Sequence, residues 1–208
     1  MTEPVDAPVD LAYLNGMYAT GTDPWRIEHG WYEQRKRRLV LGCLPRQRYR
    51  YAFEPGCSGG TLTRELARRC DKLLAADLSE VAVRATRDRV LGCPGVQVAQ
   101  LLLPDEWPSR RRFDLIVLSE LGYFFREASW AELCAQVAST LAADATVLAC
   151  HWRHDFAERT LPTTRLHGLL ADALGLASQT SLADADFLID VWTNSASSVA
   201  EREGLAER

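Results

Sequence analysis

Two carboxylates flank a glycine-rich turn in the first half of the sequence. The turn is E-P-G-C-S-G-G, from Glu54 to Gly60, and the second carboxylate, Asp77, stands in L-L-A-A-D-L-S. The apolar runs R-Y-R-Y-A-F-E and K-L-L-A-A-D each predict a strand that ends at its acid. The stretch after Gly60 predicts a helix whose first N–H groups face the turn. The pattern therefore indicates a nucleotide-binding edge with two acids.

The position of Glu54 indicates which nucleotide suits this edge. Dinucleotide-binding turns read G-x-G-x-x-G and hold a pyrophosphate at the helix N-terminus, which a carboxylate two residues before the first glycine would repel. S-adenosylmethionine carries an ammonium and a sulfonium but no phosphate, and Asp77 can accept hydrogen bonds from its ribose hydroxyls. Charge-assisted bonds of this kind contribute about 1.5–3 kcal/mol each. The two acids together predict S-adenosylmethionine as the cofactor, whereas the glycines alone are also compatible with tight packing.

Apolar runs and amphipathic stretches alternate along the rest of the chain. The runs V-Q-V-A-Q, F-D-L-I-V-L-S-E and A-T-V-L-A-C-H-W predict three more strands, and the second is apolar enough to be buried on both faces. Helices are predicted over residues 28–44, 60–70, 79–91, 129–141 and 163–174. The runs L-A-S-Q-T-S-L-A-D and D-F-L-I-D-V-W-T-N predict a hairpin. We therefore expect an α/β Rossmann-like, doubly wound, seven-stranded sheet with a C-terminal antiparallel hairpin.

Length, charge and cysteine content restrict the class of protein. The 208 residues, 47% of them hydrophobic, suit one domain over residues 10–194, with residues 10–45 as a helical lid and polar tails at 1–9 and 195–208. The net charge of −4 argues against nonspecific binding to nucleic acid. The six cysteines form no C-x-x-C pair, and the chain shows neither a signal-peptide pattern nor a membrane-length apolar run. A cytoplasmic protein without membrane contact is expected; the oligomeric state is not predicted.

Two long stretches resemble the class I methyltransferases, which use S-adenosylmethionine. They are E-P-G-C-S-G-G-T-L-T-R-E-L-A-R-R-C-D-K-L-L-A-A-D-L-S and F-D-L-I-V-L-S-E-L-G-Y-F-F. D-P-W at 23–25, W-Y-E-Q-R-K at 31–36 and H-W-R at 151–153 are similar, more narrowly, to the NodS-like family of nodulation N-methyltransferases. The resemblance extends from about residue 13 to residue 192.

The resemblance also indicates a reaction. One enzyme of the NodS-like family methylates the free amine of a deacetylated chitin oligosaccharide, so the resemblance implies N-methylation of a small polar acceptor such as an amino sugar. Three alternatives stay open: O-methylation of a small molecule or sugar, an NAD-dependent oxidoreductase, and a noncatalytic adenosyl-binding module.

The same resemblance assigns the predicted cofactor residues to parts of the ligand. The methionine end is expected at the turn, the ribose at Asp77 and the adenine near Leu102, although no acid for the adenine amino group occurs before Asp105. An aromatic residue of the N-terminal segment, Trp25 or Trp31, is expected to cover the adenosyl group. The complete predicted cofactor set is Glu54, Gly56, Cys57, Ser58, Gly60, Asp77, Leu78, Leu102, Ser119, Trp25 and Trp31.

The acceptor is expected near the end of the fourth strand. An amine must lose a proton before it attacks, which costs about 4–5 kcal/mol at pH 7 for a lysine-like amine. Glu120 and His151 are the predicted catalytic groups, although a strand-end acid bound to the loop and a satisfied core histidine are the alternatives. Tyr123 and Trp152 are predicted to contact the substrate or simply to pack. The histidine spacing matches no zinc pattern, so no metal site is predicted.

Overall fold

The computed structural model describes Gly16 and residues 27–206, and its main feature is one seven-stranded sheet. The strands are β1 Tyr49–Pro55, β2 Cys70–Asp77, β3 Val96–Gln100, β4 Phe113–Ser119, β5 Leu141–Trp152, β6 Ala177–Ala183 and β7 Phe187–Thr193. The helices are α1 Trp31–Cys43, α2 Thr61–Ala67, α3 Glu80–Arg89, α4 Glu127–Ser139, α5 Thr163–Leu174 and α6 Val199–Arg202, and a 3₁₀ turn covers Gly122–Phe124. The predicted N-terminal tail and Trp25 lie outside the described residues.

The strand order is β3-β2-β1-β4-β5-β7-β6. Strands β1 to β5 are parallel to one another, and β7 runs antiparallel between β5 and β6. This arrangement confirms the predicted doubly wound sheet with its C-terminal hairpin. The order reverses between β1 and β4, and in open α/β sheets the ligand binds outside the carboxyl ends of the strands at such a point.

The central strand β4 shows why an unbroken apolar run is needed. Ile116 and Leu118 pack in a cluster with residues of α4 and α5. Leu115 and Val117 face the other side and pack in a cluster with residues of α1 and α2. All four side chains are fully buried. Helices therefore cover both faces of the sheet, so the ends of its strands are where a ligand can reach the sheet.

Two element boundaries differ from the predicted ones because of strand pairing. Strand β2 begins at Cys70, since Cys70 pairs with Tyr49 at the start of β1, and the preceding helix is correspondingly short. Strand β5 begins at Leu141, which pairs with Phe113. Pairing across the sheet extends both strands beyond their apolar cores.

The segment from residue 195 onward, predicted as a polar tail, contains the short helix α6. Ser198 and Glu201 form a capping box at its start. Arg202 donates a hydrogen bond of 2.7 Å to the carbonyl of Pro45, which connects this segment to the chain after α1. Among the described residues, no helix has the length and apolar character needed to span a membrane.

Candidate active site

A cavity of about 580 Å³ lies at the carboxyl ends of β1, β2 and β4. The turn between β1 and α2, the chain after β2 and β3, the end of β4 and helix α1 all contribute to its wall. Among the predicted cofactor residues, those that line it are Glu54, Gly56, Cys57, Ser58, Asp77, Leu78, Leu102 and Ser119. The cavity therefore lies at the reversal of strand order, where the fold places a ligand.

The glycine turn is tight enough to exclude side chains at two positions. Gly60 has φ +74°, and a Cβ there would approach Thr86 Cγ2 to 2.8 Å. Gly56 also has φ +74°, and its Cβ would lie 3.0 Å from Leu121 Cδ1. Ser58 adopts φ +49° in the same turn. The turn thus needs left-handed backbone, which glycine adopts without steric cost, and it leaves its backbone open to the cavity.

Asp77 orients the turn through both carboxylate oxygens. Its Oδ2 accepts the N–H of Ser58 at 2.9 Å, and its Oδ1 accepts the N–H of Ser79 at 2.9 Å. Burial raises the pKa of Asp77, and the backbone N–H bonds oppose that shift. Each carboxylate oxygen can accept two bonds, so Asp77 keeps acceptor capacity for hydroxyl groups in the cavity.

Glu54 presents a buried carboxyl group to the cavity. The residue is 3% exposed, and its Oε2 has no hydrogen-bond partner among the described residues. Burial raises its pKa to about 8, the nearby hydroxyl of Thr63 opposes the shift, and the charge of Asp77 adds to it. An unpartnered buried carboxyl oxygen is unusual. A cationic group in the cavity would satisfy it, so the site fits the ammonium of S-adenosylmethionine.

Of the residues predicted to contact the adenosyl group, Leu78 and Leu102 line the cavity, whereas Trp31 does not. Leu78 and Leu102 line the cavity together with Leu101 and Leu103, and Leu102 donates its N–H to Glu106 at 2.7 Å. Trp31 is 66% exposed, lies beside the guanidinium of Arg38, and does not line the cavity. This geometry does not support the predicted cover by Trp31, because the ring projects from α1 on the side facing solvent.

Glu120, at the end of β4, is held from three directions. Its Oε1 accepts a bond of 2.6 Å from Lys36 Nζ. Its Oε2 accepts the hydroxyl of Tyr123 at 2.6 Å and the N–H of Trp152 at 2.9 Å. The residue has φ +55°, a conformation that costs a non-glycine residue about 1–2 kcal/mol. Glu120 thus lines the cavity as an anchored carboxylate, which matches the alternative of a strand-end acid bound to the loop.

Lys36 and Glu33, on α1, were absent from the predicted set. Lys36 is 5% exposed and also donates to Glu33 Oε1 at 2.8 Å. Burial by itself lowers the pKa of Lys36, but the charges of Glu120 and Glu33 outweigh it and raise the pKa above its usual range. The spacing of Glu33 and Lys36, one helical turn apart in W-Y-E-Q-R-K, was the signal that could have indicated a pair facing the same side.

His151 lies in the core rather than on the cavity wall. Its Nε2 accepts the N–H of Gly122 at 2.9 Å, so Nδ1 carries the proton and donates to His167 Nε2 at 2.9 Å. His167 Nδ1 in turn donates to Asp190 at 2.6 Å. Burial lowers the pKa of His151 well below its usual value, and the neighbouring His167 ring would further disfavour a positive charge on His151. This geometry does not support His151 as a base, because both ring nitrogens are engaged inside the protein.

Aromatic rings form the wall around Glu120. Tyr123 and Trp152, the predicted substrate residues, both line the cavity. Trp152 packs edge-on against Tyr32 with ring centroids 5.3 Å apart, and Tyr123 packs edge-on against Phe156 at 4.9 Å. This end of the cavity therefore combines apolar rings with two carboxylates and one buried ammonium.

Fold and site together match those of the class I methyltransferases, which use S-adenosylmethionine. A crystal structure of N-methyltransferase NodS from Bradyrhizobium japonicum WM9, in complex with S-adenosyl-L-homocysteine, shares this fold with a TM-score of 0.79 and 19% identity over 88% of this chain and 97% of that one. The chain belongs to the NodS family, because the family model "Nodulation protein S (NodS)" matches residues 15–162.

Other relatives agree with this assignment. A candidate methyltransferase from Pseudomonas syringae is 42% identical, with a TM-score of 0.70 over 79% of this chain and 99% of that one. Nodulation protein S from Bradyrhizobium diazoefficiens is 28% identical over 141 residues, which cover 66% of each protein. The protein of the same name from Sinorhizobium fredii is 29% identical over 110 residues, which cover 51% of this chain and 50% of that protein. The matches thus span about half to two thirds of these two curated relatives.

Proposed function

We propose that this protein transfers a methyl group from S-adenosylmethionine to the nitrogen of a small polar amine, such as an amino sugar. One observation carries the proposal: a single cavity connects the acids Glu54 and Asp77 with a second end lined by carboxylates and aromatic rings. Membership of the NodS family and the fold shared with an N-methyltransferase support nitrogen as the acceptor atom.

The cofactor roles follow from the groups that each residue offers. Glu54 would bind the ammonium of the methionine end through its unpartnered oxygen. Asp77 would accept the ribose hydroxyls, and Leu78 and Leu102 would contact the adenine. When bound there, S-adenosylmethionine supplies an electrophilic methyl carbon attached to a sulfonium. The chain itself binds and orients both reactants, and such alignment lowers the barrier of a two-substrate reaction.

The acceptor end favours a cation. Glu33, Glu120 and Lys36 line it, so two carboxylates face one ammonium. A protonated amine would be attracted to the remaining negative charge, which is strong where water is excluded. Tyr123 and Trp152 would lie against the body of the acceptor and keep water from it. Glu120 would act through its fixed position rather than as a mobile base.

A matched pair of sugars tests the acceptor atom. Glucosamine and N-acetylglucosamine carry the same hydroxyls and differ in whether the nitrogen is a free amine. The protein is incubated with S-adenosylmethionine and each sugar, and mass spectrometry follows methylated sugar and S-adenosylhomocysteine. We expect methylated glucosamine and no methylated N-acetylglucosamine. Equal methylation of both sugars would identify an O-methyltransferase, and failure to bind S-adenosylhomocysteine in calorimetry would contradict the cofactor assignment.

A further inference from the structure

Two carboxylates at the acceptor end share the ammonium of Lys36. Nζ lies 2.8 Å from Glu33 Oε1 and 2.6 Å from Glu120 Oε1. The ring of Tyr32 lies on a further side, with its centroid 5.0 Å from the same nitrogen. Because the Lys36 side chain is 6% exposed, it stays between its partners. One cation thus faces two carboxylates, and an excess of negative charge remains at the cavity wall.

The two carboxylates differ in how firmly they are held. Glu120 accepts bonds from Lys36, Tyr123 and the backbone of Trp152. Within residues 27–206, Lys36 is the only hydrogen-bond donor to Glu33, and it contacts Oε1. Glu33 therefore has an oxygen, Oε2, that can take a new partner. Its side chain is 15% exposed and lines the cavity.

We propose that Glu33 binds the ammonium form of the acceptor and accepts its proton, while Glu120 anchors Lys36 beside it. This inference rests on the proposed N-methylation. One proton passes from the acceptor ammonium to Oε2 of Glu33, which yields a neutral amine with a free lone pair and a neutral carboxylic acid. No electrons are exchanged, and the acid returns the proton to water after the product leaves.

The surroundings of Glu33 suit a group that exchanges a proton. Burial raises the pKa of Glu33, the charge of Lys36 lowers it, and the charge of Glu120 raises it. Lys36 stays an ammonium, because the two carboxylates raise its pKa, and so it cannot serve as the base. Among the residues that the structure describes, the titratable and charged groups around Glu33 are Tyr32, Lys36 and Arg37 on α1, Glu120 at the end of β4, Tyr123 in the 3₁₀ turn and Cys150 on β5.

The test compares Glu33→Gln with the control Glu132→Gln, which changes an exposed carboxylate on α4. Calorimetry measures glucosamine binding to protein saturated with S-adenosylhomocysteine, and turnover is followed from pH 5.5 to 9. For Glu33→Gln we expect at least tenfold weaker glucosamine binding and about 10²-fold lower kcat, with unchanged affinity for S-adenosylhomocysteine. The acidic limb of the kcat profile should also disappear. Glu132→Gln should match the wild type in every measurement.

A second variant separates chemistry from folding. Glu33→Asp keeps a carboxylate on a shorter side chain and should recover part of the kcat that Glu33→Gln loses, together with an acidic limb. Wild-type kcat and pH profile in Glu33→Gln would overturn the inference. Loss of S-adenosylhomocysteine binding in both variants would also overturn it, since Glu33 would then support the fold. If the wild type methylates no amine, the proposed function itself fails, so the two failures are distinguishable.

Discussion

Replacing Glu54 by glutamine should remove one large loss of stability that the ligand-free protein undergoes as the pH rises from 4.5 to about 8. Glu54 is buried and its pKa is raised from 4.5 to about 8, so the folded state keeps a proton that the unfolded state loses near pH 4.5. The contribution of protonated Glu54 to the free energy of unfolding is therefore fully present below pH 4.5 and is lost as the pH rises to about 8. Each pH unit in this window costs about 1.4 kcal/mol.

The full effect amounts to at most about 5 kcal/mol, and local relaxation should reduce it to about 2–4 kcal/mol. Urea unfolding of the ligand-free wild type and Glu54→Gln is measured at several pH values between 4.5 and 9. The variant should become more stable relative to the wild type as the pH rises, and the difference should level off above pH 8. Glu132→Gln, at an exposed position, is the control and should follow the wild type. Parallel curves for wild type and Glu54→Gln would refute the reasoning, because Glu54 would then titrate normally.

The same carboxyl should couple proton release to ligand binding. S-adenosylhomocysteine brings an ammonium that favours ionised Glu54, so binding near pH 6.5 should release about one proton per site in the wild type and none in Glu54→Gln. Loss of the charge-assisted bond should weaken binding by about 1.5–3 kcal/mol, or roughly 10- to 150-fold. Calorimetry in buffers with different ionisation enthalpies measures both quantities. Equal proton release from both proteins would contradict the assigned role.

Three further changes test the turn and the core. Asp77→Asn removes one of the two acceptors for the N–H groups of Ser58 and Ser79, so calorimetry should show at least tenfold weaker S-adenosylhomocysteine binding; unchanged affinity would exclude Asp77 from the site. Gly60→Ala should lower the free energy of unfolding by at least about 2 kcal/mol, because the added Cβ would meet Thr86. Gly175→Ala is the control, since φ is also positive there but the space is open, and it should lower the free energy of unfolding by about 1 kcal/mol. Equal effects in denaturant unfolding would contradict this reasoning. His151 has a lowered pKa, so the unfolded state takes up a proton first, and the contribution of His151 to stability should fall by about 1.4 kcal/mol per pH unit as the pH drops below 6.5, opposite in sign to that of Glu54. In urea unfolding the stability of the wild type relative to His151→Gln should therefore fall with that slope, and a difference that does not change with pH would mean that His151 is protonated in the folded state.

The local sequence determined the strands, the glycine turn and the two acids beside it. Gly60 adopts a left-handed backbone, and the central residues of β4 are apolar on both faces. Each of these patterns lies within one turn or one strand, so it can be recognised in the sequence. Ser79 likewise caps α3 through its own side chain. Such features depend on neighbouring residues, so composition and spacing reveal them.

Only the tertiary structure decided how the acceptor end is built. Lys36 and Glu120 are 84 residues apart and meet because α1 packs on the sheet face that carries Leu115 and Val117, beside the strand that ends at Glu120. His151 is engaged by Gly122 and His167, which come from two other elements, and Trp31 faces solvent although its neighbour Tyr32 lines the cavity. A helical pattern shows which residues share a face, but the partner of that face depends on long-range packing. The sequence therefore showed which chemical groups the chain carries, whereas the tertiary fold decided which of these groups contact one another.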